Sequence, residues 1–168
     1  MRKKWLYILI ALQVLFLIGI AATHYMTLKF GEQVVLKTEP IDPRDIFYGD
    51  YVTLNYDIST LSLDLLQDDG IDERERVYVI LHKSGDVHEA KSVHSQKPKT
   101  EHGEIVLKGK VRWVDDYSGI VMIDYGIERF YVEEGTGKAL EDERPDKISV
   151  RVSPWGNVVI KELLSNER

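Results

Sequence analysis

Trp5 to Ala22 is an apolar run broken only by Gln13 and Gly19, and Tyr25 and Met26 extend it past Thr23 and His24. No other feature limits the possible folds so tightly. About 20 residues at ~1.5 Å rise cover the ~30 Å hydrocarbon core of a bilayer. Residues 5–26 therefore read as a transmembrane helix whose partner is the lipid bilayer. A cleaved signal peptide is the competing reading. Its apolar stretch would be shorter, about 7–15 residues, and would end at a small-x-small site. Here Gly19-Ile20-Ala21 could serve, but it lies inside the run, so the span reads as an uncleaved anchor. With no cysteine to acylate, a lipoprotein signal is excluded.

Arg2, Lys3 and Lys4 precede the span, and no acid occurs before Glu32. Lys29 and Glu32 nearly cancel on the other side. The positive-inside rule then leaves the N-terminus in the cytoplasm and exports the rest across the cytoplasmic membrane. Gln13 and Gly19 are six apart and share no helix face, which suits plain lipid-facing anchoring better than a helix–helix interface. Two regions follow: residues 1–29, a basic tip and anchor, and residues 30–168, an extracytoplasmic β-rich domain. The chain after residue 26 carries 19 of the 22 basic and all 28 acidic residues, a formal charge of −9. That balance argues against nucleic acid or anionic lipid as a partner, since both need basic patches. No disulfide is available, so the domain must be held by its core.

From Gly31 onward the chain reads as short strands with turn punctuation. Strands are expected at 33–38, 51–57, 77–82, 87–93, 104–114, 147–152 and 157–163, with Ser84-Gly85-Asp86 and Ser153-Pro154-Trp155-Gly156 as turns. Leu61 to Leu66 reads as a short helix or a lid-like loop, and Lys138 to Asp142 as one helical turn. Ile120–Ile123 and Ile127–Val132 flank Asp124-Tyr125-Gly126, a hairpin signal. The expected fold is mainly β and antiparallel, with small α content and one N-terminal transmembrane helix.

The most specific local pattern is Asp42-Pro43-Arg44-Asp45 followed by Gly49-Asp50-Tyr51-Val52-Thr53-Leu54-Asn55-Tyr56. Pro43 disfavours helical geometry at Asp42 and presets a turn. Gly49 can supply a positive φ before the strand, and Asp50 can accept backbone N–H bonds there. Leu54 and Tyr56 then face one side of the strand and Tyr51 the other. On this reading the motif is a turn joined to a core strand. On the other, Arg44, Asp45, Asp50 and Tyr51 form an exposed polar patch for a ligand or partner.

The second stretch resembles G-D-Y-x-x-L-x-Y, the pattern of the GDYXXLXY family of membrane-anchored bacterial proteins. Tyr125 to Gly137, Tyr-Gly-x-Glu-x-Phe-Tyr-Val-x-Glu-Gly-x-Gly, is similar to that family too. The resemblance implies location and fold, with a secondary patch at Glu134, Gly135 and Gly137, and it carries no catalytic residue. A fainter likeness joins the span, the exported β domain and the Pro-containing turn before Gly-Asp-x-Val to type I signal peptidases. Glu39-Pro40-Ile41-Asp42-Pro43 has no serine where those enzymes carry their nucleophile, and Lys37 alone is no dyad. Such a relative would be catalytically empty.

Other constellations read more plainly as structure. His82, His88, His94 and His102 lack tight metal-ligand spacing and read as scattered surface histidines. Asp115-Asp116 and Glu133-Glu134 are adjacent, so strand geometry would point each pair to opposite faces, unlike two carboxylates flanking one bond. Glu134-Gly135-Thr136-Gly137 lacks the Lys-Ser/Thr of a phosphate loop. Trp113, Tyr117, Tyr125, Phe130, Tyr131 and Trp155 read as core and cross-strand pairs rather than a ligand platform. The chain therefore reads as an accessory or interaction subunit of a multi-pass membrane protein, non-enzymatic, with no cofactor and no metal. The alternatives are an envelope hydrolase using acids around Asp42, Asp45 and Asp50, and a sensor of a small ligand.

Overall fold

The computed structural model describes residues 2–39, 51–68, 70–131 and 146–164. One helix, α1 (Arg2–Phe30), is followed by β1 (Glu32–Glu39), β2 (Tyr51–Thr53), β3 (Asn55–Tyr56), β4 (Thr60–Ser62), β5 (Arg76–Ser84) and β6 (Val87–His94). Then come β7 (Ile105–Asp115), β8 (Ile120–Asp124), β9 (Arg129–Tyr131), β10 (Lys147–Val152) and β11 (Val158–Leu164). Residues 3–30 of α1 are long and apolar enough to cross a membrane, and the most apolar 18-residue window of that span is not buried in the fold.

The strands form a four-stranded sheet in the order β11-β10-β1-β3, a five-stranded sheet β4-β8-β7-β5-β6 and a two-stranded pair β2-β9. All these ladders are antiparallel. Strand alternation explains the layering. Val34 and Leu36 of β1 point the same way as Ile148 and Val150 of β10, and all four are fully buried. Val77, Val79 and Leu81 of β5 do the same in the larger sheet. The two inner faces meet in one hydrophobic cluster that also takes in Leu54, Tyr56, Tyr125 and Ile127.

Where the two sheets meet edge to edge, β1 runs beside β6. The Val35 N–H, which has no ladder partner on that side, donates to Nδ1 of His88 at 3.2 Å. His88 is buried. The reading of all four histidines as scattered surface groups therefore fails at His88, because the open edge of β1 needs an acceptor and β6 supplies an imidazole. A donor aimed at Nδ1 requires that nitrogen to be unprotonated, and burial holds the imidazole below its ordinary 6.5.

Three sequence expectations are corrected. The strand expected over 51–57 is split at Leu54, with β2 pairing β9 and β3 pairing β1. Leu61 to Leu66 is a short helix only in part: Leu61 and Ser62 belong to β4, which adds to β8, and a single 3-10 turn follows at Leu63–Leu65. The hairpin expected around Asp124-Tyr125-Gly126 does not form, since β8 pairs with β7 and β4 while β9 pairs with β2. The true hairpin is β7–β8. Its turn is held by Asp115, whose carboxylate accepts from the backbone N–H of Tyr117 and Ser118 and from the Ser118 hydroxyl. The span expected as one helical turn, Lys138 to Asp142, lies outside the described residues.

Candidate functional site

The described parts of the two stretches that carry the sequence pattern, 51–56 and 125–131, come together in space. Tyr51, Val52 and Thr53 pair with Tyr131, Phe130 and Arg129. Leu54 then leaves the ladder, but its N–H still donates to the Glu128 carbonyl at 2.7 Å. Tyr56 is fully buried and its hydroxyl donates to the Ile127 carbonyl at 2.6 Å. The link is reciprocal: the Tyr125 hydroxyl donates to the Ile58 carbonyl at 2.7 Å. Each tyrosine thus satisfies a carbonyl on the other's segment, which an irregular buried backbone otherwise leaves unpaired.

Local sequence explains the turn that makes this possible. Gly126 sits at φ +80°, a conformation glycine adopts without steric cost. The Glu128 carboxylate reaches back to accept from the N–H of Tyr125 and of Gly126, the latter at 2.9 Å. Tyr-Gly-x-Glu is therefore a self-capping turn. It sends the chain out of the five-stranded sheet and along β2. Across the sheet, Gly109 of β7 leaves space for the Tyr125 ring. A Cβ there would lie 3.3 Å from Tyr125 Cε1 and would collide with Ile123.

Burial, with Glu128 adding a smaller effect, pushes the hydroxyls of Tyr56 and Tyr125 above their ordinary 10. They are neutral donors at physiological pH, suited to holding backbone and not to accepting a proton. Leu54 is buried as well. The described part of the motif is thus a joint. Asp42, Pro43, Arg44, Asp45, Gly49 and Asp50 lie outside the described residues, as do Glu134, Gly135 and Gly137.

Sequence reasoning missed Asp57, directly after Tyr56. Its Oδ1 is buried with no hydrogen-bond partner. Burial raises its carboxyl above the usual 3.8, and Lys37 works against that rise. Nothing in the local sequence signals this, because Asp57 is an ordinary acid in a strand-to-turn step. Lys37 comes near it through sheet packing alone.

A cleft of about 360 Å³ lies at the other end of the domain, lined by Phe30, Glu32, Lys97, Thr100, Glu104 and Pro154 among others. Glu104 accepts from Lys91 Nζ at 2.6 Å and from the Glu101 N–H at 2.9 Å. These bonds hold its carboxyl below the ordinary 4.5, so it is ionised and is a poor proton donor. The aromatic residues do not gather into one platform. Tyr125 is in the core, whereas Tyr117, Tyr131 and Trp155 are exposed at separate places. Among the described residues, no group of three or more His, Asp or Glu is placed to hold a metal ion.

A long apolar helix running into an antiparallel β domain, closed by two interlocked tyrosine segments, defines a helix-tethered β protein. The chain belongs to the GDYXXLXY protein family, whose profile matches residues 13–163. No curated protein and no solved structure matches the chain. The likeness to signal peptidases is therefore carried by sequence alone.

Proposed function

We propose that this chain is a single-pass envelope protein, N-terminus inside, whose domain from residue 30 stands outside the cytoplasmic membrane as a non-enzymatic interaction module for a multi-pass membrane protein. One observation carries the reading: helix and sheet are joined without a linker. The Gly31 N–H closes the last helical turn on the Thr27 carbonyl at 2.9 Å, and β1 begins at the next residue. Arg151 of β10 donates to the Gly31 carbonyl at 2.8 Å. A Cβ at residue 31 would press on the Thr27 carbonyl and lie 3.0 Å from the Val152 carbonyl. Such a joint holds the domain at a fixed height and angle to the anchor, as presentation to a membrane neighbour requires. The basic tip Arg2-Lys3-Lys4 supports the orientation.

The test is crosslinking of the intact protein in its native membranes followed by pull-down, with protease added to protoplasts as the topology control. External protease should remove the domain and leave a short anchored stub. One multi-pass protein should be recovered, and Arg44→Ala should lose it while leaving the fold unchanged. A domain protected until lysis would overturn the orientation, and recovery of the anchor with lipid alone would overturn the interaction role.

A small-ligand site is the second reading, favoured by Asp57 with its buried, unpartnered oxygen. An Asp57→Asn chain that keeps its stability but loses binding of an envelope metabolite fraction would move the assignment there.

A further inference from the structure

The helix end of the domain exposes two large aromatic side chains on one side of the junction. Phe30 is 72% exposed and Trp155 is 64% exposed. Trp155 lies in the Ser153–Gly156 turn between β10 and β11. That turn is fixed on three sides. The Gly156 N–H donates to the Ser153 carbonyl at 2.9 Å, and the Gly156 carbonyl accepts from the Lys108 N–H of β7 at 3.0 Å. Lys97, from the loop between β6 and β7, donates through Nζ to the Pro154 carbonyl at 2.6 Å. A turn so tied cannot fold its tryptophan inward, and its exposure has no explanation within the domain.

Its height relative to the span does have one. Phe30 and Pro154 line the same cleft, so the turn stands level with the last residue of α1. Met26 is the last residue of the apolar stretch. Four residues at ~1.5 Å rise place Phe30 about 6 Å beyond the hydrocarbon. The polar layer of a bilayer is about 5–8 Å thick on each side. Both side chains thus fall at headgroup depth, the layer in which Trp and Tyr are enriched, which fits Trp155. The charge there is mixed. After residue 26 the chain carries −9 overall; beside the turn Lys97 and Lys99 are exposed, while Glu32 and Glu104 line the same cleft and Glu104 is paired with Lys91. Lys29, at the helix end, lies over the Tyr25 and Phe30 rings at 6.0 and 5.6 Å.

We propose that this end of the domain rests on the bilayer itself, with Trp155 and Phe30 seated among the lipid headgroups and Lys97 and Lys99 facing lipid phosphates. This rests on the anchoring stated above. The occupant is lipid because the surface is continuous with the span and at headgroup depth.

The probe is the full chain in vesicles of phosphatidylcholine and phosphatidylglycerol. Two variants are compared: Trp5→Phe, and Trp5→Phe with Trp155→Phe. Both positions are exposed, so the fold is kept, and the difference in emission belongs to Trp155. With lipid brominated near the glycerol end of the chains, that difference signal should fall severalfold more than with lipid brominated near the chain terminus. It should also resist aqueous iodide, and adding Lys99→Glu, which leaves the ties of the turn intact, should partly restore access to iodide and reduce quenching by bromine. Flotation of the protein with the vesicles reports the anchor separately. A chain that floats while Trp155 stays open to iodide and blind to bromine overturns the docking and leaves the anchor standing. Quenching by bromine only in native membrane extracts, and not in pure lipid, would point to a covering protein and overturn it as well. A chain that does not float overturns the anchoring first, and the docking falls with it.

Discussion

At the end of the domain far from the helix, Tyr56 and Tyr125 are turned inward and their hydroxyls bond to carbonyls of Ile127 and Ile58. At the helix end, Trp155 and Phe30 are turned outward, and the polar groups around them bond only to the backbone that holds the turn in place. Both ends use aromatic residues on short irregular segments. What differs is whether a second segment of the chain arrives to cover them. The strand from Arg129 to Tyr131 crosses to β2 and seals the first end, while the β10–β11 turn has β7 behind it and nothing in front among the described residues. An aromatic side chain in a small β domain is therefore assigned by its neighbours and not by its type.

The largest effects should come from the sealed end. Tyr125→Ala removes a buried ring over Gly109 and should cost about 3–5 kcal/mol, and Leu54→Ala about 2–4 kcal/mol. Tyr125→Phe isolates the hydroxyl contribution. It leaves the Ile58 carbonyl unpaired and should cost about 1–3 kcal/mol. Denaturant melts of the detergent-solubilised chain measure all three. Midpoints unchanged in Tyr125→Ala and Leu54→Ala together would mean that the interlocked segments hold nothing.

At the junction, Gly31→Ala should cost about 1–3 kcal/mol, because the atoms it meets are backbone of α1 and β10 that cannot swing aside. Site-directed spin labels on α1 and β11 should report a broader distance distribution. A narrow distribution with wild-type stability would show that the joint tolerates a side chain and would weaken the case for a fixed height.

A smaller, pH-linked effect is expected at the seam between the sheets. The folded His88 has a lowered pKa, so between that value and 6.5 the unfolded chain binds more protons than the folded one. The stability that His88 contributes is complete above 6.5 and is lost as pH falls from 6.5 towards the folded value. Lys83 and His82 push the imidazole the same way, and Glu32 opposes them. His88→Asn offers an acceptor to the Val35 N–H without titrating and should flatten the profile just below pH 6.5. A slope that survives in His88→Asn would assign the acid sensitivity elsewhere. Smallest of all, Trp155→Ala should change stability by less than about 0.5 kcal/mol, as an exposed side chain outside the core. A larger loss would place Trp155 in the fold and not at a surface.

Long-period and short-period patterns explain what was legible beforehand. The uninterrupted apolar run foretells α1, since every position of a lipid-facing helix must be apolar whatever its neighbours are. The run of β-formers in 77–82 and the strand pattern in 104–114 foretell β5 and β7, because consecutive apolar residues there are buried within the sheet. The β10–β11 hairpin was also legible, because Pro-Trp-Gly sits between two alternating runs. The false hairpin at Asp124-Tyr125-Gly126 had the same local signature. A glycine with positive φ reverses a chain, but it does not decide which strand the chain then meets. That choice was made by Glu128, which caps its own turn, and by the two tyrosine hydroxyls, whose acceptors lie 71 and 67 residues away.

By itself the sequence determined a single apolar helix, an antiparallel β-rich remainder and membership of the GDYXXLXY family, all of which depend on local composition, period and spacing. Only the tertiary structure decided that the described parts of the two stretches that resemble the family pattern clasp each other, that His88 fills the edge of β1, that Asp57 is left with an unpartnered oxygen, and that Trp155 stands level with the end of α1. Each of these depends on which distant backbone group arrives beside a given side chain. A hydrogen bond or a buried contact is set by distances of a few ångströms between residues that the chain order leaves far apart.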